Sequence, residues 1–311
     1  MSQIIPVLIQ ETALGEHDLR KIISNAPERY KSFSIKKRNG GGDRLVSQPA
    51  RELKALQRAL IKSILYKLPV HKNATAYVSS RSLKDNIFPH LDNNAILKFD
   101  FKNFFPSFTE NDWTLYCKKH SLFDNEEDIE ITRRILFKRY PGLRGLRLSI
   151  GAPSSPMLSN ILMFDIDQAI SEHIGSSEVV YTRYADDITF SAKRTGYLNR
   201  INKELRQIVA NSDTPKLTIN EEKTVMATKK YKRQVTGLII TNDRKASVGR
   251  DRKRLISAQI HRALTYGASS EEIERLLGII SFVQSIEPEF KDRMNRKYGG
   301  DVFSRLKDKS S

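Results

Sequence analysis

A chain of 311 residues is long enough to bury a substantial core without disulfides or a structural metal, and 39% hydrophobic with 29% charged residues is the composition of a soluble protein, with no apolar run near the roughly 20 residues a membrane span needs. The single cysteine, Cys117, excludes an intramolecular disulfide and a thiolate zinc cluster and reads as a small buried hydrophobe. With 53 Lys and Arg against 36 Asp and Glu the formal charge is +17, which points to a polyanion bound by phosphate neutralisation, and the 19 basic and 10 acidic residues from Lys229 to Ser311 make the C-terminal part the expected main grip.

The N-terminus, MSQIIPVLIQETALGEHDLR, has neither the basic leader nor the apolar stretch of an export signal, so a cytoplasmic protein with no membrane partner is expected. Residues 33–48, FSIKKRNGGGDRLVSQ, read as a basic hairpin of two short strands around Gly40-Gly41-Gly42. Beyond Pro49, Leu53, Leu56, Leu60, Ile64 and Leu68 recur at helical spacing until Pro69 stops the helix. AILKFDFKNFFPSF (95–108) starts as an apolar strand and breaks at Pro106, and a helix is predicted from Glu110 to His120. SPMLSNILMFDIDQAISEHI (155–174) reads as one apolar-rich helix with Pro156 in its first turn. VVYTRYADDITFSA (179–192) alternates on either side of an acidic turn and reads as a hairpin. A helix over about 197–210 precedes strand-like LTI (217–219) and QVTGLIIT (234–241), and 250–311 reads as helical and basic. No repeat or low-complexity linker interrupts the chain, so one unit built of subdomains is expected, with its best boundary near 242–249.

Two separated places offer hard oxygen ligands for divalent cations: Asp100, at the end of the strand AILKFD, and Asp186 with Asp187, at the tip of the acidic hairpin. A carboxylate at a strand end and a pair in a neighbouring turn can converge above one sheet. Alone, an Asp-Asp pair in a turn is mostly just a turn, because Asp tolerates the backbone angles. The six histidines offer no metal-ligand spacing, and His90 reads as structural.

The flanking residues shift that weighting. YADD (184–187) resembles the catalytic acidic box of reverse transcriptases, FDFKNFFPS (99–107) their first acidic motif and GAPSSPMLSN (151–160) their middle motif. RELKALQ (51–57), AYVSSRS (76–82), NEEKT (220–224) and VTG (235–237) match in the same order, and VTG with NIFPH (86–90) resembles the retron branch of bacteria. The resemblance implies an α+β right-hand polymerase: N-terminal helices and fingers in 1–95, a palm of antiparallel sheet backed by helices in 96–242 with an interleaved fingers segment, and a basic helical thumb in 243–311. It also implies two Mg2+ ions held by Asp100, Asp186, Asp187 and the carbonyl of Phe101, and Lys223 as proton donor to departing pyrophosphate. Phe105 becomes the ring that excludes a ribonucleotide's 2′-hydroxyl, and Phe104 core. Lys36, Lys37 and Arg44 become clamps on the dNTP triphosphate, Arg44 foremost, and Gly151 and Ala152 allow close approach to the nucleotide. Two positions depart from the pattern: Ile150 stands where most relatives carry Gln, and Ile87 where retron enzymes show Ala.

A retron enzyme copies part of a cognate structured noncoding RNA from one of its 2′-hydroxyls, leaving a branched RNA–DNA molecule. The resemblance therefore brings that RNA and its DNA product as partners, a thumb that grips an RNA stem-loop, and antiphage defence with an effector protein. The rival readings are a reverse transcriptase of another lineage such as the group II intron type, a catalytically silent RNA-binding scaffold, and a metal-dependent nuclease. Intact Asp100, Asp186 and Asp187 argue against the scaffold, because unused carboxylates in a polyanion-binding cleft repel the ligand.

Overall fold

The computed structural model describes residues 2–36, 42–174 and 178–308. The chain begins with α1 (Ile4–Thr12) and α2 (Glu16–Asn25), which bury Ile4, Ile5, Leu8, Leu19 and Ile23. β1 (Tyr30–Lys36) and β2 (Asp43–Pro49) pair antiparallel in the register Tyr30↔Pro49 to Lys36↔Asp43. This is the expected basic hairpin, although Lys37, Gly40 and Gly41 lie outside the described residues. Beyond Tyr30 every residue of β1 is exposed, so the hairpin stands out as a ribbon. A buried lysine roots it: Lys138 Nζ donates to Ser32 Oγ (2.7 Å) and Ser47 Oγ (2.6 Å) and sits 4.5 Å from the centre of the Tyr140 ring. α3 (Arg51–Ser63) buries the predicted Leu53, Leu56 and Leu60, then tightens into a 3₁₀ turn at Leu65–Lys67 ahead of Pro69.

α4 (Leu83–Ile87), started by a Ser82–Asp85 capping box, leads to β3 (Ala95–Phe99), α5 (Phe104–Ser107), α6 (Glu110–Lys119) and α7 (Glu126–Leu136). A small ladder of β4 (Lys138–Arg139) and β5 (Leu146–Arg147) precedes α8 (Ser155–Leu162) and α9 (Phe164–Ile174). The single helix expected over 155–174 is thus divided at Met163. Backbone bonds from Met163 to Ser159 and from Asp167 to Met163 continue through the division, which makes it a bend and not a stop. β6 (Val179–Tyr184) and β7 (Asp187–Ala192) form the acidic hairpin, and α10 (Thr195–Asn211) and β8 (Val225–Thr228) follow.

These strands build one antiparallel sheet in the order β6-β7-β3-β8. Side chains alternate across a strand, and here both faces are covered. Ala95, Leu97 and Phe99 join Phe190 and helices α1 to α3 and α5 to α10 in one core, while Ile96, Ala227 and Ile87 of α4 lie in a second core made with the C-terminal segment.

That segment opens with β9 (Arg233–Val235) and β10 (Leu238–Ile240), followed by β11 (Ala246–Ser247) on the far edge of β10. QVTGLIIT is therefore a hairpin and not one strand. It reverses at Thr236 and Gly237, whose φ values of 46° and 84° match the two positive angles of a tight type I′ turn. The stretch 242–249 is part of this small sheet through β11 and not a bare connection. α11 (Arg250–Tyr266), α12 (Ser270–Ile286), α13 (Glu289–Tyr298) and α14 (Val302–Asp308) complete the second core. Cys117 is buried as expected, and no helix among the described residues is long and apolar enough to cross a membrane.

Candidate active site

The sheet register carries the acidic residues to one end. The β3–β7 ladder closes at Phe99↔Ile188, so the next residues, Asp100 on one strand and Asp187 on the other, leave the sheet side by side, and Tyr184↔Asp187 closes the hairpin around Ala185 and Asp186. An ordinary turn would use aspartate for its tolerance of left-handed backbone. Here the left-handed residue is Ala185 (φ 58°), so turn geometry does not account for the two aspartates. Arg183, wholly buried, holds the turn by donating from Nη1 to the Ala185 carbonyl at 3.1 Å.

Burial pushes the Asp186 carboxyl up to about 6, with the negative charges of Asp187 and Asp100 adding to the effect. Asp187 is also pushed up, by burial first and by Asp100, while Lys98 pulls it back. Asp100 has a cation already: Lys223 Nζ lies 3.0 Å from each of its oxygens. The LTI segment, expected as a strand, forms only an isolated bridge here, and it positions that lysine. Lys102 N–H donates to the Thr218 carbonyl and Asn220 N–H to the Asp100 carbonyl, both at 2.8 Å, Ile219 bridges Phe101, and Asn220 Nδ2 reaches Asp100 Oδ1 at 3.3 Å. Among the described residues no three His, Cys, Asp or Glu side chains are drawn together tightly enough to form a ready-made metal cage. The donor set nevertheless fits Mg2+: its atoms are hard carboxylate oxygens, and Asp186 and Asp187, raised first by burial and then by neighbouring carboxylates, are groups whose charged form a divalent cation would favour.

Phe101 is buried and stacks on Phe104, which is core as expected, while Phe105 is half-buried and meets Phe104 edge-on. Lys36 and Arg44 are exposed on the hairpin, and the Arg44 charge is felt by the phenol of Tyr77 near Asp186. Gly151 has φ 110°, and a Cβ there would come within 3.0 Å of the Ser47 carbonyl oxygen and of Val46 Cγ1. The close approach that Gly151 permits is therefore to β2, where Ser47 N–H donates to the Ile150 carbonyl at 2.7 Å; Ala152 behind it is buried. Ile87 fills the second core. His90 is enclosed between Ser191 Oγ (2.6 Å) and Thr182 Oγ1 (2.8 Å), and burial lowers its pKa to about 3, so it is a neutral structural link.

Sequence reasoning passed over Arg183, Asp167, Asn160 and Asn220 and gave Tyr77 no role. A signal existed for Arg183, a charge inside an apolar alternating strand.

Residues 35–240 match the family described as "Reverse transcriptase (RNA-dependent DNA polymerase)". The chain is 34% identical over 291 residues to the Retron Ec83 reverse transcriptase of Escherichia coli, covering 91% of each. It is 32% identical over 304 residues to the Retron Ec86 reverse transcriptase of the same organism, covering 95% of this chain and 91% of that one. Among solved structures, a telomerase from Candida albicans in complex with the TWJ fragment of telomeric RNA superposes with a TM-score of 0.51 at 13% identity, over 93% of this chain and 59% of that one; the likeness is one of fold, the α+β right hand of fingers, palm and thumb. With the acidic motifs on adjacent strands of the palm sheet and these matches running along nearly the whole chain, the protein belongs to the reverse transcriptases, and among them to the retron type.

Proposed function

We propose that this RNA-directed DNA polymerase copies a cognate structured noncoding RNA into a branched RNA–DNA product, with dNTPs as substrates and two Mg2+ ions bound by Asp100, Asp186, Asp187 and the Phe101 carbonyl. The observation that carries the reading is the meeting of Asp100 with Asp186 and Asp187 at one sheet end, where burial and mutual repulsion raise two of the three carboxyls. Bound there, the two ions supply a more acidic primer hydroxyl and a neutralised leaving pyrophosphate. The chain's own part is positioning and charge. Arg44 and Lys36, with Lys37 beyond the described residues, close on the triphosphate from the hairpin, and Phe105 bars a 2′-hydroxyl. Lys223, once released from Asp100, donates a proton to pyrophosphate. Gly151, packed against β2, and the buried Ala152 let the backbone of the middle motif approach the nucleotide.

We divide the chain into fingers and N-terminal helices (1–95), palm (96–242) and thumb (243–311). The helices gathered in the second core support the thumb, and their basic faces suit the phosphates and 2′-hydroxyls of an RNA stem-loop. A role in antiphage defence with an effector protein rests on kinship with retron enzymes alone.

Primer extension on an RNA template with dNTPs and Mg2+ tests the chemistry. Asp186→Asn with Asp187→Asn should abolish synthesis and leave RNA binding intact; extension by the double variant would remove the metal assignment. A branched product from the co-expressed neighbouring RNA separates the retron reading from plain reverse transcription.

A further inference from the structure

Beneath the acidic turn runs a buried polar path that the roles above leave unused. Arg183 Nη2 and Nε donate to the two Asp167 oxygens at 2.6 and 2.8 Å, and Nη1 donates to Asn160 Oδ1 at 3.0 Å as well as to Ala185. Asn160 in turn donates from Nδ2 to the Ala76 carbonyl at 2.7 Å. The segment around Ala76 is laid along β6 like an added strand. Arg183 N–H donates to the Asn73 carbonyl and Thr75 N–H to the Arg183 carbonyl, both at 2.8 Å, and Ala74 pairs with Arg183 in parallel.

Tyr77 stands at the end of this path. Ala74 and Ala76 are buried, yet the next residue leaves the core with φ 60°, a conformation a bulky side chain adopts only when its surroundings impose it. The residue is 46% exposed, and its ring lies 6.5 Å, centroid to centroid, from that of Phe105. The phenol is raised by burial and further by Asp186 and Tyr184, and lowered by Arg44, so its neighbours are an acid of the catalytic turn and the foremost cation of the hairpin. An aromatic ring beside Phe105, within reach of the Asp186 and Arg44 charges, presents apolar surface to a sugar and base near the groups assigned to metal and triphosphate.

We propose that Tyr77 contacts the incoming deoxyribonucleoside triphosphate, its ring forming with Phe105 the walls of the sugar-and-base slot, and that Asn160 is a positioning residue which presents Tyr77 through the Ala76 carbonyl. The inference rests on the polymerase reading and adds to it a second aromatic wall. It assigns the contribution to the ring and not to the hydroxyl, because the neighbouring group at ring distance is Phe105.

Single-nucleotide extension of a primer on an RNA template separates the possibilities. Tyr77→Ala should raise KM for the dNTP about tenfold with a smaller change in kcat, and Tyr77→Phe should stay within about twofold of the parent. Asn160→Ala should raise KM in the same direction by less, and adding it to Tyr77→Ala should raise KM no further, since one residue acts through the other. Tyr77 is half-exposed, so its variants keep the fold, which binding of the primer–template checks. A KM for Tyr77→Ala within about twofold of the parent, with an unchanged preference for dNTP over ribonucleotide, overturns the proposal. A parent protein that extends no primer overturns the polymerase reading itself, and the slot with it.

Discussion

Asp167→Asn would remove the partner of a guanidinium that has no route to water, for both side chains of the Asp167–Arg183 pair are 0% exposed. Truncating one member of a buried pair strands the other charge, at about 3–5 kcal/mol. Arg183→Met strands the Asp167 carboxylate, left with the Tyr181 hydroxyl as donor, and also deprives Asn160 Oδ1 and the Ala185 carbonyl of theirs, at about 1–3 kcal/mol for each orphaned acceptor. Either loss is a large part of the roughly 5–15 kcal/mol that holds a folded protein together. The double variant carries no stranded charge, so it should be less destabilised than the sum of the single ones by about 2–3 kcal/mol. Urea unfolding of all four proteins measures this. Additivity within about 0.5 kcal/mol would show that the two groups do not share one charge-neutral unit and would refute the reasoning. Activity provides a second readout. Because the Ala185 carbonyl has lost its donor, the double variant should remain a poor polymerase at temperatures where it is fully folded; parental activity would make Arg183 a fold residue only.

Lowering the pH should weaken the response to Mg2+. The Asp186 carboxyl, raised to about 6, is protonated below that value and must lose its proton to bind a cation, so the Mg2+ needed for half-maximal extension should climb as the pH falls from 7.5 toward 5.5; a flat Mg2+ requirement would count against Asp186 as a ligand. Gly151→Ala should destabilise by about 1–3 kcal/mol and displace β2, since positive φ and the 3.0 Å contacts both oppose a methyl group there, and an unshifted melting curve would contradict this. Glu287 accepts from Ser247 Oγ and Val248 N–H (2.9 Å each), from Lys253 (2.8 Å) and from Arg293 (3.2 Å). Burial pushes its pKa up, but these donors prevail and hold it below the ordinary 4.5. A carboxyl lowered on folding stabilises the protein above its unfolded value and loses that stabilisation as pH falls through 4.5 and below. Glu287→Gln should therefore flatten the acid-side decline in stability and speed hydrogen exchange where α11, α13 and β11 meet; unchanged exchange would show the cluster to be superficial.

The elements legible in the sequence are those whose pattern is local. Leu53, Leu56 and Leu60 declare α3 by spacing, and the alternation of VVYTRYADDITFSA declares β6 and β7. QVTGLIIT was harder. Its turn places a threonine at positive φ, where the usual asparagine or glycine would have advertised the reversal. The aspartates were found by motif, and their meeting follows from a register that no single strand reveals. Beyond reach were the contacts between remote stretches: Lys223 on Asp100, Asn160 on Ala76, β2 against Gly151. Such contacts come from how elements dock, and residue periodicity is silent on docking. For Gly151 the sequence offers small size and nucleotide approach; the structure adds the Ser47 carbonyl and Val46, which leave no room for a Cβ.

The pairing of Lys223 with Asp100 bears on whether the site can take metal at all. A carboxylate sealed in a buried ion pair would be lost to a cation, since opening the pair would leave both charges unsolvated. This pair is asymmetric: the Asp100 side chain is 10% exposed and that of Lys223 is 61% exposed. The lysine can swing into water with its charge hydrated, and exchanges of that kind at the surface involve about 0–1 kcal/mol. A dication held by Asp100, Asp186 and Asp187, as proposed, would gain direct attraction to three carboxylates where the ammonium makes an ion pair with one. On the proposed reading, a cation held by Asp100 would leave Lys223 free beside the phosphates, so that ligand and proton donor would become available together.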